Sequence, residues 1–193
     1  MKLSMMVCVA LLVAYCVAML SHPRGAMAAE GVGDKKILIA YFSWSGNTRE
    51  IAGRIRERIG GDLFEIKTVN AYPTEYRACT DVAKKEQNEN ARPALSTKVE
   101  NMDDYDVIFI GYPIWWGTAP MALFTFVEQY DFSGKTMIPF CTHGGSGLSR
   151  SASDIQTLCP KSTLLEGIAI NGSGAKNAQH EVDSWLKSIG MAN

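Results

Sequence analysis

The sequence predicts an α/β fold, a doubly wound five-stranded parallel sheet covered by helices on both faces. Three observations predict it. Apolar runs of strand length alternate with helix-period segments from Lys36 to Gly190. The runs are continuously apolar instead of alternating, as in strands buried on both faces. Parallel neighbours also need crossover connections, and the intervening helical segments supply them.

Taken in order, Lys36 to Phe42 reads as the first strand, and Thr48 to Ile59 as a helix whose Ile51, Ile55 and Ile59 fall on one buried face. Leu63 to Val69 is the second strand. A polar stretch from Tyr72 to Ala94 follows, with a helix over Tyr76 to Asn90 and an exit at Arg92-Pro93. Asp106 to Tyr112, with Val107-Ile108-Phe109-Ile110, is a buried third strand. A helix over Met121 to Tyr130 starts after Pro120. Thr136 to Thr142 is the fourth strand, Leu148 to Leu158 a helix, Ser162 to Ile170 the fifth strand, and Ala175 to Ile189 the last helix.

Residues 1–28 stand apart from this pattern. Lys2 precedes an uncharged apolar stretch from Met5 to Leu20, Ser21, Pro23 and Arg24 break it, and Ala26-Met27-Ala28 supplies a small-x-small site. This is the pattern of a secretory signal peptide cut after Ala28, and it predicts an exported, periplasmic or extracellular protein. The stretch is slightly short of the ~20 residues of a spanning helix. An uncleaved membrane anchor is the alternative, and a start at Met27, leaving the protein in the cytosol, is a third reading. Residues 29–35 form a short linker and 36–190 the folded domain.

Without Lys2 and Arg24, 19 − 2 = 17 basic residues face 20 acidic ones, a formal charge of −3. No basic run or basic-aromatic stripe is present, so nucleic acid is not an expected partner. Cys79, Cys141 and Cys159 have no Cys-x-x-Cys spacing. Their odd number fits one disulfide plus a free thiol, and equally three buried thiols. His143, His180 and these cysteines lack metal-ligand spacing, so no metal site is expected.

In doubly wound sheets ligands bind outside the carboxyl ends of the strands. Three loops at such ends are chemically unusual. The first, Ser43-Trp44-Ser45-Gly46-Asn47-Thr48, runs from a strand into a helix that Asn47 or Thr48 can cap. Its backbone N–H groups, the hydroxyls of Ser43, Ser45 and Thr48 and the helix dipole suit a phosphate without a lysine. It lacks both the Gly-Lys-Ser/Thr ending of a nucleoside-triphosphate loop and the three spaced glycines of a dinucleotide loop, which favours a mononucleotide. The second, Pro113-Ile114-Trp115-Trp116-Gly117-Thr118-Ala119-Pro120, puts two indoles where a flat ligand could stack, and Gly117 lets backbone approach it. Either indole alone could equally cap the core, whereas the pair together points to a ligand. The third, Thr142-His143-Gly144-Gly145-Ser146-Gly147, is a donor-rich loop suited to the edge of a planar heterocycle.

These three motifs, in this order, resemble those of the flavodoxin-like FMN-binding proteins. The resemblance covers Lys36 to Gly190 and implies a sheet in the order 2-1-3-4-5 with FMN across the switch in strand order. It implies that Ser43, Trp44, Ser45, Gly46, Asn47 and Thr48 hold the phosphate. Pro113, Ile114, Trp115, Trp116 and Gly117 would flank the isoalloxazine, and Thr142, His143, Gly144, Gly145 and Ser146 would line its other side. A peptide group near Gly117 or Gly145 is expected at the N5 edge. The chain departs from the best-known flavodoxins in its mild acidity, in His143-Gly144-Gly145 where those stack a tyrosine, and in a fifth strand with no long interruption.

The expected function is a redox protein that carries electrons through its bound flavin, with a partner protein or a small quinone-like acceptor. The alternative is an NAD(P)H-dependent quinone-type oxidoreductase using the same site; a scaffold without cofactor is the third class. No catalytic side chain is singled out. Tyr72-Pro73, Tyr76 and Glu86 to Pro93 read as a solvated polar helix in preference to a wall of the site.

Overall fold

The computed structural model describes residues 35–193, so the signal-peptide and most of the linker assignments lie outside the described residues. The elements are β1 (Ile37–Tyr41), α1 (Asn47–Ile59), β2 (Asp62–Glu65), α2 (Tyr76–Asn88), β3 (Val107–Pro113), α3 (Met121–Glu128), β4 (Thr136–His143), α4 (Ser151–Leu158), β5 (Thr163–Leu164), β6 (Ile168–Asn171) and α5 (Gln179–Ser188). All strand pairs in the sheet are parallel, in the order β2-β1-β3-β4, with β5 and β6 both paired to β4 at the fifth position. The 2-1-3-4-5 order is the expected one.

Two apolar layers sandwich the sheet. On one face Ile39, Phe109, Phe140 and Ile170 pack under Ile51, Ala52 and Ile55 of α1 and Val182, Trp185 and Leu186 of α5. On the other, Leu38, Ile108 and Ile110 lie under Ala122, Leu123 and Phe126 of α3 and Ile155 of α4. Ile51 and Ile55 are fully buried, and each contributes about 1.5–3 kcal/mol of burial. The continuous apolar runs therefore serve both layers at once, which is why they do not alternate.

The fifth strand is not continuous over Ser162 to Ile170. It is split at Leu165-Glu166-Gly167, and the cause lies on its neighbour. Along β4 the odd-numbered peptide groups face the fifth strand: Thr163 N–H donates to Lys135 O and Leu165 N–H to Met137 O, each at 2.9 Å. The next in that series is Pro139, which has no N–H to continue the ladder. Gly167 crosses its ring so closely that a Cβ there would lie 2.6 Å from Pro139 O and 2.7 Å from Pro139 Cγ. Pairing resumes at Phe140 with Ile168.

Other boundaries shift. β2 ends at Glu65 instead of Val69, because the chain turns outward and pairs with a later segment, Val69 N–H to Ala94 O and Ser96 N–H to Lys67 O, both 2.8 Å. This antiparallel bridge, Thr68 with Leu95, shields the edge of the sheet. The last helix begins at Gln179, since Gly172–Asn177 forms a 3₁₀ turn. Cys79, Cys141 and Cys159 are free thiols, all buried.

Candidate functional site

The carboxyl ends of β1, β3, β4 and β6 open onto one cleft of about 540 Å³. Of the sixteen residues expected to hold a ligand, ten line it: Trp44, Ser45, Asn47, Pro113, Ile114, Trp115, Trp116, Thr142, His143 and Gly144. Six do not, and each has a reason in the local structure.

The phosphate loop is built differently from the expectation. Neither Asn47 nor Thr48 caps α1. Gly46 stands at the N-cap position with φ 91, a left-handed conformation, and no side chain bonds from there. Capping comes from further back, where Ser43 Oγ accepts the Arg49 N–H at 3.2 Å. Thr48 is buried at 1 % exposure, and its hydroxyl lies 2.9 Å from that of Thr142. Of the three hydroxyls, Ser45 alone belongs to an exposed residue that lines the cleft. What remains is backbone. Among the described residues, the N–H groups of Trp44, Ser45, Gly46, Asn47 and Thr48 have no protein acceptor. Consecutive unpaired donors at a helix N-terminus fit an anion, with the dipole in its favour. Arg49, which follows the loop in sequence, is paired with Glu65.

The double tryptophan forms a tight turn. Trp115 N–H donates to Thr118 O at 2.8 Å and Thr118 N–H returns to Trp115 O at 3.1 Å, with Trp116 at φ 49 and Gly117 at φ 80. Two positive φ values in a row mark a type I′ turn. It aims the Trp116 indole at the cleft and turns Gly117 away, so that its carbonyl accepts the Arg150 N–H at 3.3 Å. Asp154 Oδ2 on α4 accepts from both Thr118 Oγ1, 2.5 Å, and Arg150 Nε, 3.1 Å, and so anchors the turn from behind.

Trp115 satisfies both of its readings. Its ring meets Tyr72 at 5.1 Å and Phe42 at 5.5 Å, edge to face, and Phe42 meets Tyr72 at 5.5 Å. This herringbone caps the core and leaves one side of the indole in the cleft wall. Trp44 is fixed by its Nε1–H, which donates to Pro73 O at 2.8 Å.

In the third loop, the Gly145 N–H donates to His143 Nδ1 at 2.8 Å. The imidazole thus organises its own loop, and Gly145 and Ser146 lie in solvent outside the cleft. Neither Gly117 nor Gly145 lines the cleft.

Two walls escaped the sequence reading. One is α2, through Tyr76, Cys79, Thr80 and Ala83; the polar helix is not merely solvated. Glu75 caps it, accepting the Arg77 and Ala78 N–H groups at 2.9 and 2.7 Å, and those bonds hold its carboxyl below the usual range. Burial, helped by the charge of Glu86, pushes the Cys79 thiol up to about 11, so it stays protonated and unreactive at neutral pH. Tyr72 Oη donates to Glu86 at 2.7 Å. Burial raises the tyrosine far above its ordinary value and raises Glu86 as well. The other wall is Asn171-Gly172-Ser173 after β6, where a Cβ on Gly172 would come within 2.8 Å of Asn47 Nδ2. The rule that selects loops at strand carboxyl ends would have found this fourth loop. Among the described residues no cluster of His, Cys, Asp or Glu could hold a metal ion, and no helix is long and apolar enough to cross a membrane.

A parallel doubly wound sheet with a phosphate-type cradle and an aromatic cleft at its switch point defines a mononucleotide-binding α/β protein. The flavodoxin family profile matches residues 36–189; the chain belongs to the flavodoxin family. Among solved structures it is similar to a protein described as a flavoprotein from Bacteroides eggerthii DSM 20697, with 36 % identity, 81 % of this chain and 98 % of that one covered, and a TM-score of 0.72. A second, from Bacteroides uniformis ATCC 8492, has 34 % identity, coverage of 79 % and 98 %, and a TM-score of 0.70. The fold is shared by a Lactobacillus acidophilus NCFM flavoprotein in complex with FMN, at 24 % identity, coverage of 74 % and 97 %, and a TM-score of 0.63. No curated protein matches the chain. The cofactor expected from the sequence, FMN, accords with this family membership.

Proposed function

We propose that the protein is a redox protein that carries electrons through FMN held in this cleft. The observation that carries the reading is the run of unpaired N–H groups from Trp44 to Thr48, set at one end of a cleft walled by Trp44, Trp115 and Trp116. The donors match a phosphate in charge and number, and the indoles match a flat ring. At about 540 Å³, the cleft lies within the ~300–1,000 Å³ typical of small-molecule sites.

Bound there, FMN supplies one- and two-electron chemistry. The chain's own residues bind, orient and shield. Trp44 to Thr48 fix the phosphate through backbone donors that need no reorganisation. The Thr48 and Thr142 hydroxyls share one hydrogen bond, which leaves one proton free to donate. Trp115, locked in its aromatic trio, would shield the ring from water on the side it lines. With Arg49 paired to Glu65, the cradle brings little free positive charge, which favours a low reduction potential.

A second reading, an NAD(P)H-dependent quinone-type oxidoreductase, draws on the small side chains of the α2 wall. Cys79, Thr80, Ala83 and Gly144 all line the cleft, and their small size suits a second flat molecule there. Export belongs to the proposal on the strength of the N-terminal apolar stretch, and N-terminal sequencing of the native protein tests cleavage after Ala28.

Purified protein should bind FMN one to one. Steady NAD(P)H oxidation with a quinone acceptor would favour the second reading, and reduction only through a partner protein the first.

A further inference from the structure

Trp116 is half exposed, 51 %, in a turn where it stands at a positive φ. Here it is gripped from one face of α2. Its Nε1–H donates to Thr80 O at 3.0 Å. Its backbone carbonyl accepts from Gln87 Nε2 at 3.1 Å. Lys84 Nζ lies 5.0 Å from the centroid of its ring. Lys84 also donates to Gln87 Oε1 at 3.2 Å, which turns the amide so that its NH₂ faces the Trp116 carbonyl. Residues 80, 84 and 87 recur at i, i+4 and i+7, the spacing of one helical face.

We infer that Thr80, Lys84 and Gln87 form a clamp that fixes Trp116 as a cleft wall before any ligand arrives, making Lys84 and Gln87 positioning residues for the flavin ring. Trp116 is part of the cleft lining and Lys84 is not, so the clamp leaves the cleft itself to the indole. With its N–H committed to Thr80, the indole offers a ligand only its π surface and apolar edges. The clamped wall therefore selects flat rings over hydrogen-bonding ligands. Fixing it in advance removes an ordering cost from binding. The clamp is read from contacts in the protein; its service to FMN rests on the function proposed above.

The test has two arms. In ligand-free protein, acrylamide quenching of Trp116, isolated by difference against Trp116→Phe, should rise in Gln87→Ala and in Lys84→Met and stay near wild type in Lys84→Arg. Circular dichroism establishes that the variants are folded. In the second arm, FMN dissociation constants should weaken roughly three- to tenfold in Gln87→Ala and Lys84→Met, the scale of a lost cation–π or hydrogen-bond contact. Unchanged Trp116 quenching in both variants overturns the clamp. Raised quenching with unchanged FMN affinity overturns its role toward the ring. Wild-type protein that binds no FMN contradicts the proposed function, while the quenching arm still decides the clamp.

Discussion

The hydroxyl of Thr48 lies 2.9 Å from that of Thr142, so the first turn of the helix after β1 is tied to the end of β4 inside the protein. The two residues are 94 positions apart and are both buried. The bond joins the start of the helix after β1 to the end of β4, at the mouth of two of the loops that frame the cleft. Thr48→Val keeps the shape and leaves Thr142 unpaired, which should cost about 1–3 kcal/mol. Urea denaturation measures it. The double variant Thr48→Val, Thr142→Val should cost less than the sum of the singles, because neither polar group is then orphaned.

Gly167→Ala tests the split in the fifth strand. Its Cβ would meet Pro139 O and the Pro139 ring at 2.6 and 2.7 Å, and neither can swing aside as a flexible side chain would. The expected loss is about 1–3 kcal/mol, read as a lower thermal midpoint. Pro139→Ala in the same background should recover only part, since the carbonyl contact persists.

These sites show what the sequence could and could not disclose. Ile37 to Phe42, Val107 to Tyr112 and Met137 to Cys141 are apolar throughout, and such runs report strands directly. The break opposite Pro139 was hidden because its cause sits on a neighbouring strand, not in the broken one. The loops after β1, β3 and β4 were legible because Gly, Trp and Ser are conspicuous at strand ends. The bond between the Thr48 and Thr142 hydroxyls was hidden, because two residues 94 positions apart show no relation in sequence spacing. The α2 wall was hidden for a different reason. Cys79, Thr80 and Ala83 are small and carry no motif, and they lie among charged residues that read as a solvated face.

Glu86 gives the pH dependence a sign. Burial raises its folded pKa above the ordinary value of 4.5, so the folded state holds the proton more tightly than the unfolded one. Its contribution is therefore fully favourable below about 4.5 and is lost as pH rises through the folded value. Glu86→Gln keeps an acceptor for Tyr72 and removes the buried charge. Its thermal midpoint should exceed wild type at pH 7 and converge with it near pH 4, as thermal melts across that range would show. A difference independent of pH would contradict this assignment.

Gly46→Ala probes the cradle itself. The glycine stands at φ 91 with open space where a Cβ would go, so the cost is conformational, about 1–2 kcal/mol. The variant should remain folded by circular dichroism and lose FMN affinity, while riboflavin, which lacks the phosphate, should be affected little.

In the proposed function, backbone donors at the start of α1 hold the phosphate of a flavin whose ring lies among the tryptophans of the cleft. Parallel titration of the ligand-free protein with FMN and with riboflavin, followed by tryptophan fluorescence and visible absorbance, tests it most directly. The account predicts one-to-one FMN binding with quenched tryptophan emission and riboflavin weaker by at least roughly a hundredfold, the worth of one or two charge-assisted hydrogen bonds. Equal affinity for the two flavins, or no binding of either, would contradict it.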